Sequence, residues 1–216
     1  MRTATLSTST ALVAFASLAN AHFNLDYPAA RGFDEDVLGT FPCGGQDTVS
    51  SNRTSWPLSG GSIALTMGHI DANVEVLIAV GSDPGSAFNT IIRPTFTEQG
   101  LGAFCMTGFT LPSSLNISDG TEATIQVVTN GDPDRGLYNC ADITFSSTAT
   151  NPDSSVCKNA TGVTTTQASV AGNPNVTSSE ANGTTNGAES GAVGMRVGVE
   201  NLLLAALTGV VLSFAL

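Results

Sequence analysis

Apolar and polar residues alternate along four stretches of the chain: Ile63 to Met67 (IALTM), Val74 to Val80 (VEVLIAV), Thr121 to Val128 and Tyr138 to Phe145. A period of two, carried by Val, Ile, Thr and aromatic side chains, is the pattern of strands with one face buried. Between the stretches stand Gly60-Gly61, Asp83-Pro84-Gly85, Asp119-Gly120 and Asn130-Gly131-Asp132-Pro133, residues that favour turns. No apolar stripe at helical spacing lasts beyond a turn or two. The pattern predicts an all-β fold, an antiparallel β-sandwich.

The two ends follow other rules. Residues 1 to 21 lead from Met1-Arg2 through the apolar run Ala11 to Ala16 to Ala19-Asn20-Ala21, with small residues at the −3 and −1 positions of a cleavage site. This is the pattern of a secretory signal peptide, and cleavage after Ala21 makes His22 the first residue. At the other end, Leu202 to Leu216 is uncharged and apolar, and too short for a comfortable membrane span. A polar spacer (Val193 to Asn201) precedes it, and before that the small triplet Ser190-Gly191-Ala192, with Asn186-Gly187-Ala188 as a second candidate. Small triplet, spacer and apolar tail signal a glycosylphosphatidylinositol (GPI) anchor, here placed at Ser190.

From about Thr161 to Glu189 the chain is dominated by Thr, Ser, Ala, Asn and Gly without periodicity or an aromatic residue. Such a stretch buries too little apolar surface to offset its ordering entropy and reads as a glycosylated, disordered stalk. The expected division is a signal peptide (1–21), a folded domain (22–158), a stalk (159–190) and an anchor signal removed on maturation (191–216). Sequons at Asn52, Asn116, Asn159, Asn175 and Asn182 agree with a secretory route. The expected location is the outer face of the plasma membrane, where the protein stands as a GPI-anchored glycoprotein.

Composition narrows the partners. Of 216 residues, 18 are Asp or Glu and 7 are Lys or Arg, for a formal net charge of −11. Without a basic cluster to neutralise phosphates, nucleic acid is excluded as a partner. All 4 cysteines, Cys43, Cys105, Cys140 and Cys157, fall inside the folded domain. An even count in a secreted chain implies two disulfides, and the absence of a C-x-x-C spacing argues against zinc. Of the three possible pairings the expectation leans toward Cys43–Cys157, closing the domain, and Cys105–Cys140, joining two strands.

The chain has only 2 histidines. His22 stands at the expected mature N-terminus, where α-amine and imidazole Nδ1 can chelate one ion; the amine's ordinary pKa of about 7.7–8.0 lets a metal displace its proton. His69, in the polar break Met67-Gly68-His69-Ile70-Asp71 between two apolar strands, supplies a third nitrogen. Tetragonal nitrogen and oxygen ligation suits Cu(II), one ion per domain. The loop Gly131-Asp132-Pro133-Asp134-Arg135-Gly136 can add an oxygen, with Asp132 ahead of Asp134; Asp142, further along the next strand, reads as structural. The acidic run Asp34-Glu35-Asp36 reads as a solvated turn and receives no role.

The segments His22-Phe23-Asn24-Leu25-Asp26-Tyr27-Pro28, Arg31-Gly32-Phe33-Asp34-Glu35-Asp36, Pro42-Cys43-Gly44-Gly45 and Gly136-Leu137-Tyr138-Asn139-Cys140-Ala141-Asp142-Ile143 resemble the fungal copper-acquisition factors. These are small secreted, often membrane-anchored proteins related to lytic polysaccharide monooxygenases, and the likeness spans residues 22 to 158. It implies the immunoglobulin-like sandwich of the monooxygenases and a histidine brace from His22 and His69, with a carboxylate ligand carried to Asp132. It also implies copper handling at the fungal cell surface or cell wall without polysaccharide cleavage.

Two functions follow. The first is a monomeric, non-enzymatic protein that captures Cu(II) outside the cell and passes it toward a membrane copper importer. The alternative is a copper-dependent monooxygenase that cleaves a cell-wall polysaccharide. One Trp (Trp56) and two Tyr (Tyr27, Tyr138) offer few platforms for stacking on sugars, which favours the first.

Overall fold

In the computed structural model, residues 22–132, 135–168 and 174 are described, with backbone alone for Gly131, Asp132 and Arg135. The expected signal peptide, Asp134, Asn175, Asn182, both anchor candidates and the C-terminal tail lie outside the described residues.

Among the described residues, nine strands form two sheets packed face to face. Strands β1 (Phe23–Tyr27), β3 (Gly61–Met67) and β6 (Gly102–Phe109) make the smaller sheet, in the order β1-β3-β6. Strands β2 (Thr54–Pro57), β4 (Asp71–Val80), β5 (Thr90–Gln99), β7 (Glu122–Asp132), β8 (Arg135–Ser146) and β9 (Thr164–Gln167) make the larger, in the order β2-β8-β7-β4-β5-β9. Every pairing is antiparallel except β2 with β8, which run parallel. The expected all-β sandwich is the observed fold, with that one exception at a sheet edge.

The inner faces follow the predicted alternation. Ile63, Leu65 and Met67 of β3 meet Val74, Val76 and Ile78 of β4, Ile125 and Val127 of β7, and Leu137, Ala141, Ile143 and Phe145 of β8. Trp56 is fully buried, its Nε1–H donating to the Ser62 carbonyl at 3.0 Å, with Phe109 and Phe145 against it. Gly61 makes this fit possible, since a Cβ there would lie 2.1 Å from the indole ring.

The sequence pattern did not reveal five of the described strands, among them β9 (Thr164–Gln167), which pairs with β5 inside the stretch expected to be a disordered stalk. In β1, Phe23 and Leu25 are buried between exposed Asn24 and Asp26, a period-two signal only five residues long. Strand β5 hides its period behind Arg93 and Pro94, where the register with β4 shifts twice; β6 carries two glycines, and β2 spans four residues. A further correction concerns Asn130-Gly131-Asp132, expected in a loop. Strand β7 continues through Asp132, which pairs with Arg135, because hydrogen bonds to β8 outweigh local turn preference.

The disulfides also differ from the expected pairing: they join Cys43 to Cys140 and Cys105 to Cys157. Cys105 belongs to the smaller sheet and Cys140 to the larger, so they cannot form a cross-strand pair. Cys105 faces away from the core, where the returning chain lies along β6 through Ala160 N–H to Ala103 O (2.7 Å) and Cys105 N–H to Asn159 Oδ1 (2.7 Å). That contact brings Cys157 to it.

Among the described residues, two buried polar side chains face the interior without a hydrogen-bond partner: the Glu98 carboxyl and the Asn139 amide. Burial, and secondarily the charge of Asp71, raises the Glu98 pKa from 4.5 to about 7. The stability that goes with the protonated form is present in full below the unfolded value and is lost as pH rises through about 7. Glu98→Gln should therefore make the metal-free protein more stable at pH 8, by on the order of 1–3 kcal/mol, and flatten stability between pH 4.5 and 7, as thermal unfolding across pH will show.

Candidate metal centre

The N-terminus of β1, the end of β3 and the start of β4 meet at one end of the sandwich. Phe23 pairs with Met67, and one residue further the Gly68 N–H donates to the His22 carbonyl at 2.8 Å. This register sets His22 beside the three-residue link that carries His69. The β7–β8 hairpin reaches the same end, because β7 runs antiparallel to β4 with Thr129 opposite Val74. It is β7, rather than β8, that lies beside β4.

Each histidine has one ring nitrogen accounted for. His69 Nδ1 lies 2.6 Å from the Asp71 carbonyl. A carbonyl only accepts, so Nδ1 carries the proton and the neutral ring keeps its lone pair on Nε2, the arrangement that backbone partners impose on metal-binding imidazoles. His22 Nδ1 is buried and makes no hydrogen bond of good geometry. A Glu35 carboxylate oxygen nevertheless stands 2.9 Å from it. The two side chains are 26% and 45% exposed, so the contact borders solvent.

His22, Glu35, Asp36, Val37, Gly39, Thr40 and Leu137 line a small cavity of about 130 Å³. Glu35, to which the sequence assigned no role, is thus part of this site; the acidic run is a short 3-10 turn (Glu35–Val37) folded against the sandwich. Its neighbour Asp34 is occupied as the cap, accepting from the Asp36 N–H at 3.1 Å. Nothing in the spacing of three adjacent acids distinguishes the middle one, because the contact joins residues that only the fold brings together.

The turn is held from below. The segment between β1 and β2 crosses the outer face of β8, where Ala30 bridges Ala141, the Arg31 N–H donates to the Cys140 carbonyl (2.8 Å) and the Tyr138 N–H donates to the Leu38 carbonyl (2.9 Å). Arg31 grips Asp142 with two hydrogen bonds, Nε to Oδ2 and Nη2 to Oδ1, both 2.8 Å. Thr124 Oγ1–H (2.6 Å) and the Ser50 N–H (2.7 Å) also donate to this carboxylate. Burial alone would raise the Asp142 pKa, but the hydrogen bonds and the Arg31 charge together hold it below the usual value. Asp142 is structural, as its place along the strand suggested.

Among the described residues no three His, Cys, Asp or Glu side chains form a ready-made metal cluster. The fold sets His22 and Glu35 in contact and joins the link that carries His69 to the His22 backbone; the Asp132 side chain lies outside the described residues. A buried Nδ1 without a hydrogen bond, an imidazole with Nε2 available and a carboxylate are nitrogen and oxygen donors of the kinds that suit copper.

Residues 20–162 match the domain described as copper acquisition factor BIM1-like. The chain belongs to this family. Copper acquisition factor BIM1 of Cryptococcus neoformans var. neoformans is 35% identical over 151 residues, covering 66% of this chain and 68% of that protein. Lytic polysaccharide monooxygenase-like protein X325 of Hypocrea jecorina is 32% identical over 155 residues, covering 62% and 67%. An uncharacterized protein of Aspergillus fumigatus is 50% identical over 157 residues, covering 70% of this chain; the chain spans less than two thirds of that relative, 64%. Membership ties the chain to copper, and the resemblance seen in its motifs holds.

The side chains of Arg31 and Asp142 are 3% and 0% exposed. Asp142→Ala strands a buried guanidinium and should cost on the order of 3–5 kcal/mol, measured as a lowered denaturant midpoint with an unchanged slope.

Proposed function

We propose that this protein is a non-catalytic, monomeric Cu(II)-binding protein of the fungal cell surface, which holds one copper ion in a histidine brace and delivers it toward a membrane importer. The observation that supports this reading is the Gly68 N–H to His22 carbonyl bond, which holds the His22 backbone against the link carrying His69, in a chain of a copper acquisition family. Once residues 1–21 are removed, the His22 α-amine joins Nδ1 in chelation, His69 contributes Nε2, and Asp132 at the β7–β8 hairpin is the carboxylate expected from the sequence. Bound copper supplies a Lewis-acidic, redox-active centre, and the histidines fix its orientation to the sandwich. The negative charge of the chain draws cations toward it.

Surface and stalk fit an extracellular setting. Asn52, Asn116 and Asn159 are exposed, as glycan acceptors must be. The stalk expected over residues 159–190 begins beyond β9 (Thr164–Gln167), which is paired with β5, and 191–216 serve as an anchor signal cleaved at Ser190. Trp56 and Tyr138 are buried in the sandwich and offer no platform to a sugar, which supports capture of copper over cleavage of a polymer.

In the mature domain, His22→Ala, or one extra residue ahead of His22, should abolish most Cu(II) affinity in an electron paramagnetic resonance titration. Undiminished one-to-one binding in either variant contradicts the brace, and soluble oxidised oligosaccharides after adding ascorbate, peroxide and cell-wall polysaccharide would make the protein a monooxygenase. Treatment of cells with a phosphatidylinositol-specific phospholipase should release the protein; retention would rule out the proposed anchor.

A further inference from the structure

Building on the copper reading above, we propose that Glu35 is an oxygen ligand of the copper held by His22 and His69. Its carboxylate stands 2.9 Å from the nitrogen that the brace requires, His22 Nδ1. Two donors bound to one ion at about 2.0–2.2 Å and at right angles lie roughly 2.8–3.1 Å from each other. The spacing between Glu35 and His22 is therefore that of neighbouring ligands in a tetragonal site. Nδ1 is buried and its contact with Glu35 lacks hydrogen-bond geometry, so the in-plane direction of the nitrogen is turned off the carboxylate oxygen, as it is for two donors that point at a shared ion and not at each other.

The acidic run does not act as a diffuse patch. Asp34 is committed to capping the turn, and Glu35 is the residue of the run that reaches His22. The turn itself is anchored: Leu38 is buried and its carbonyl accepts from Tyr138 N–H, while Thr40 N–H closes on the Val37 carbonyl at 2.8 Å. Glu35 is thus three residues from a point fixed to β8. A carboxylate held in this way offsets the charge of Cu(II) and costs little ordering entropy on binding.

The test uses the mature protein beginning at His22, grown with glutamate labelled with carbon-13 at Cδ and loaded with one equivalent of Cu(II). Pulsed electron paramagnetic resonance should show carbon-13 coupling to copper in the wild type and none in Glu35→Gln. The variant should bind Cu(II) about tenfold or more weakly while keeping the imidazole nitrogen couplings and the wild-type melting temperature. Nitrogen couplings without carbon-13 coupling in the wild type would overturn the Glu35 assignment and leave the brace standing. Failure of the wild type to bind one Cu(II) would overturn both.

Discussion

The buried grip of Arg31 on Asp142 is the constraint on which the rest of the site depends. The segment between β1 and β2 has no long secondary structure of its own, and its ordering must be offset by contacts with the sheet it crosses. Arg31 supplies the strongest of these, a two-pronged pair reinforced by Thr124 and the Ser50 N–H. The Cys43–Cys140 bridge, the Gln126 amide donating to the Pro42 carbonyl (2.7 Å) and the Phe41 ring set edge-on to Tyr138 act along the same face. Together they turn a surface loop into a plate that carries Glu35 to His22.

The opposite side of the centre is built by strand register. Pairing of β1 with β3 places His22 next to Gly68, and a one-residue slip would turn Phe23 and Leu25 out of the core, so core packing itself locks the His22 backbone against the link that carries His69. The two halves of the centre thus rest on different physics. Hydrophobic alternation fixes the backbone at His22 and Gly68, and a buried charge pair holds the segment that carries Glu35.

Among the described residues, Glu98 and Asn139 are buried polar groups without a hydrogen-bond partner. Glu98 tolerates its position by retaining a proton, at the end of the sandwich where β4 begins and close enough to Asp71 to feel its charge. Its pairing register places it opposite Ala72, three residues from His69 along β4. The interior near the metal-binding end is less apolar than the middle of the sandwich, where Ile63, Val76 and Ile125 meet.

Much of the fold was legible in the chain. Alternation in 63–67, 74–80, 121–128 and 138–145 marked β3, β4, β7 and β8, because a strand with one buried face must write its period into its side chains. The solitary histidines and the motifs around Cys43 and Tyr138 carried the family and the copper chemistry. Strand β5 was hidden by Pro94 and two register shifts, and β1 by its shortness. The sequence determined which residues could be strands, how many disulfides to expect and which atoms could bind a metal, since these depend on the residues themselves and their near neighbours. Only the tertiary structure decided that Cys43 meets Cys140 and that Glu35 reaches His22. Both are set by how the segment between β1 and β2 folds back along β8, and no local pattern encodes that.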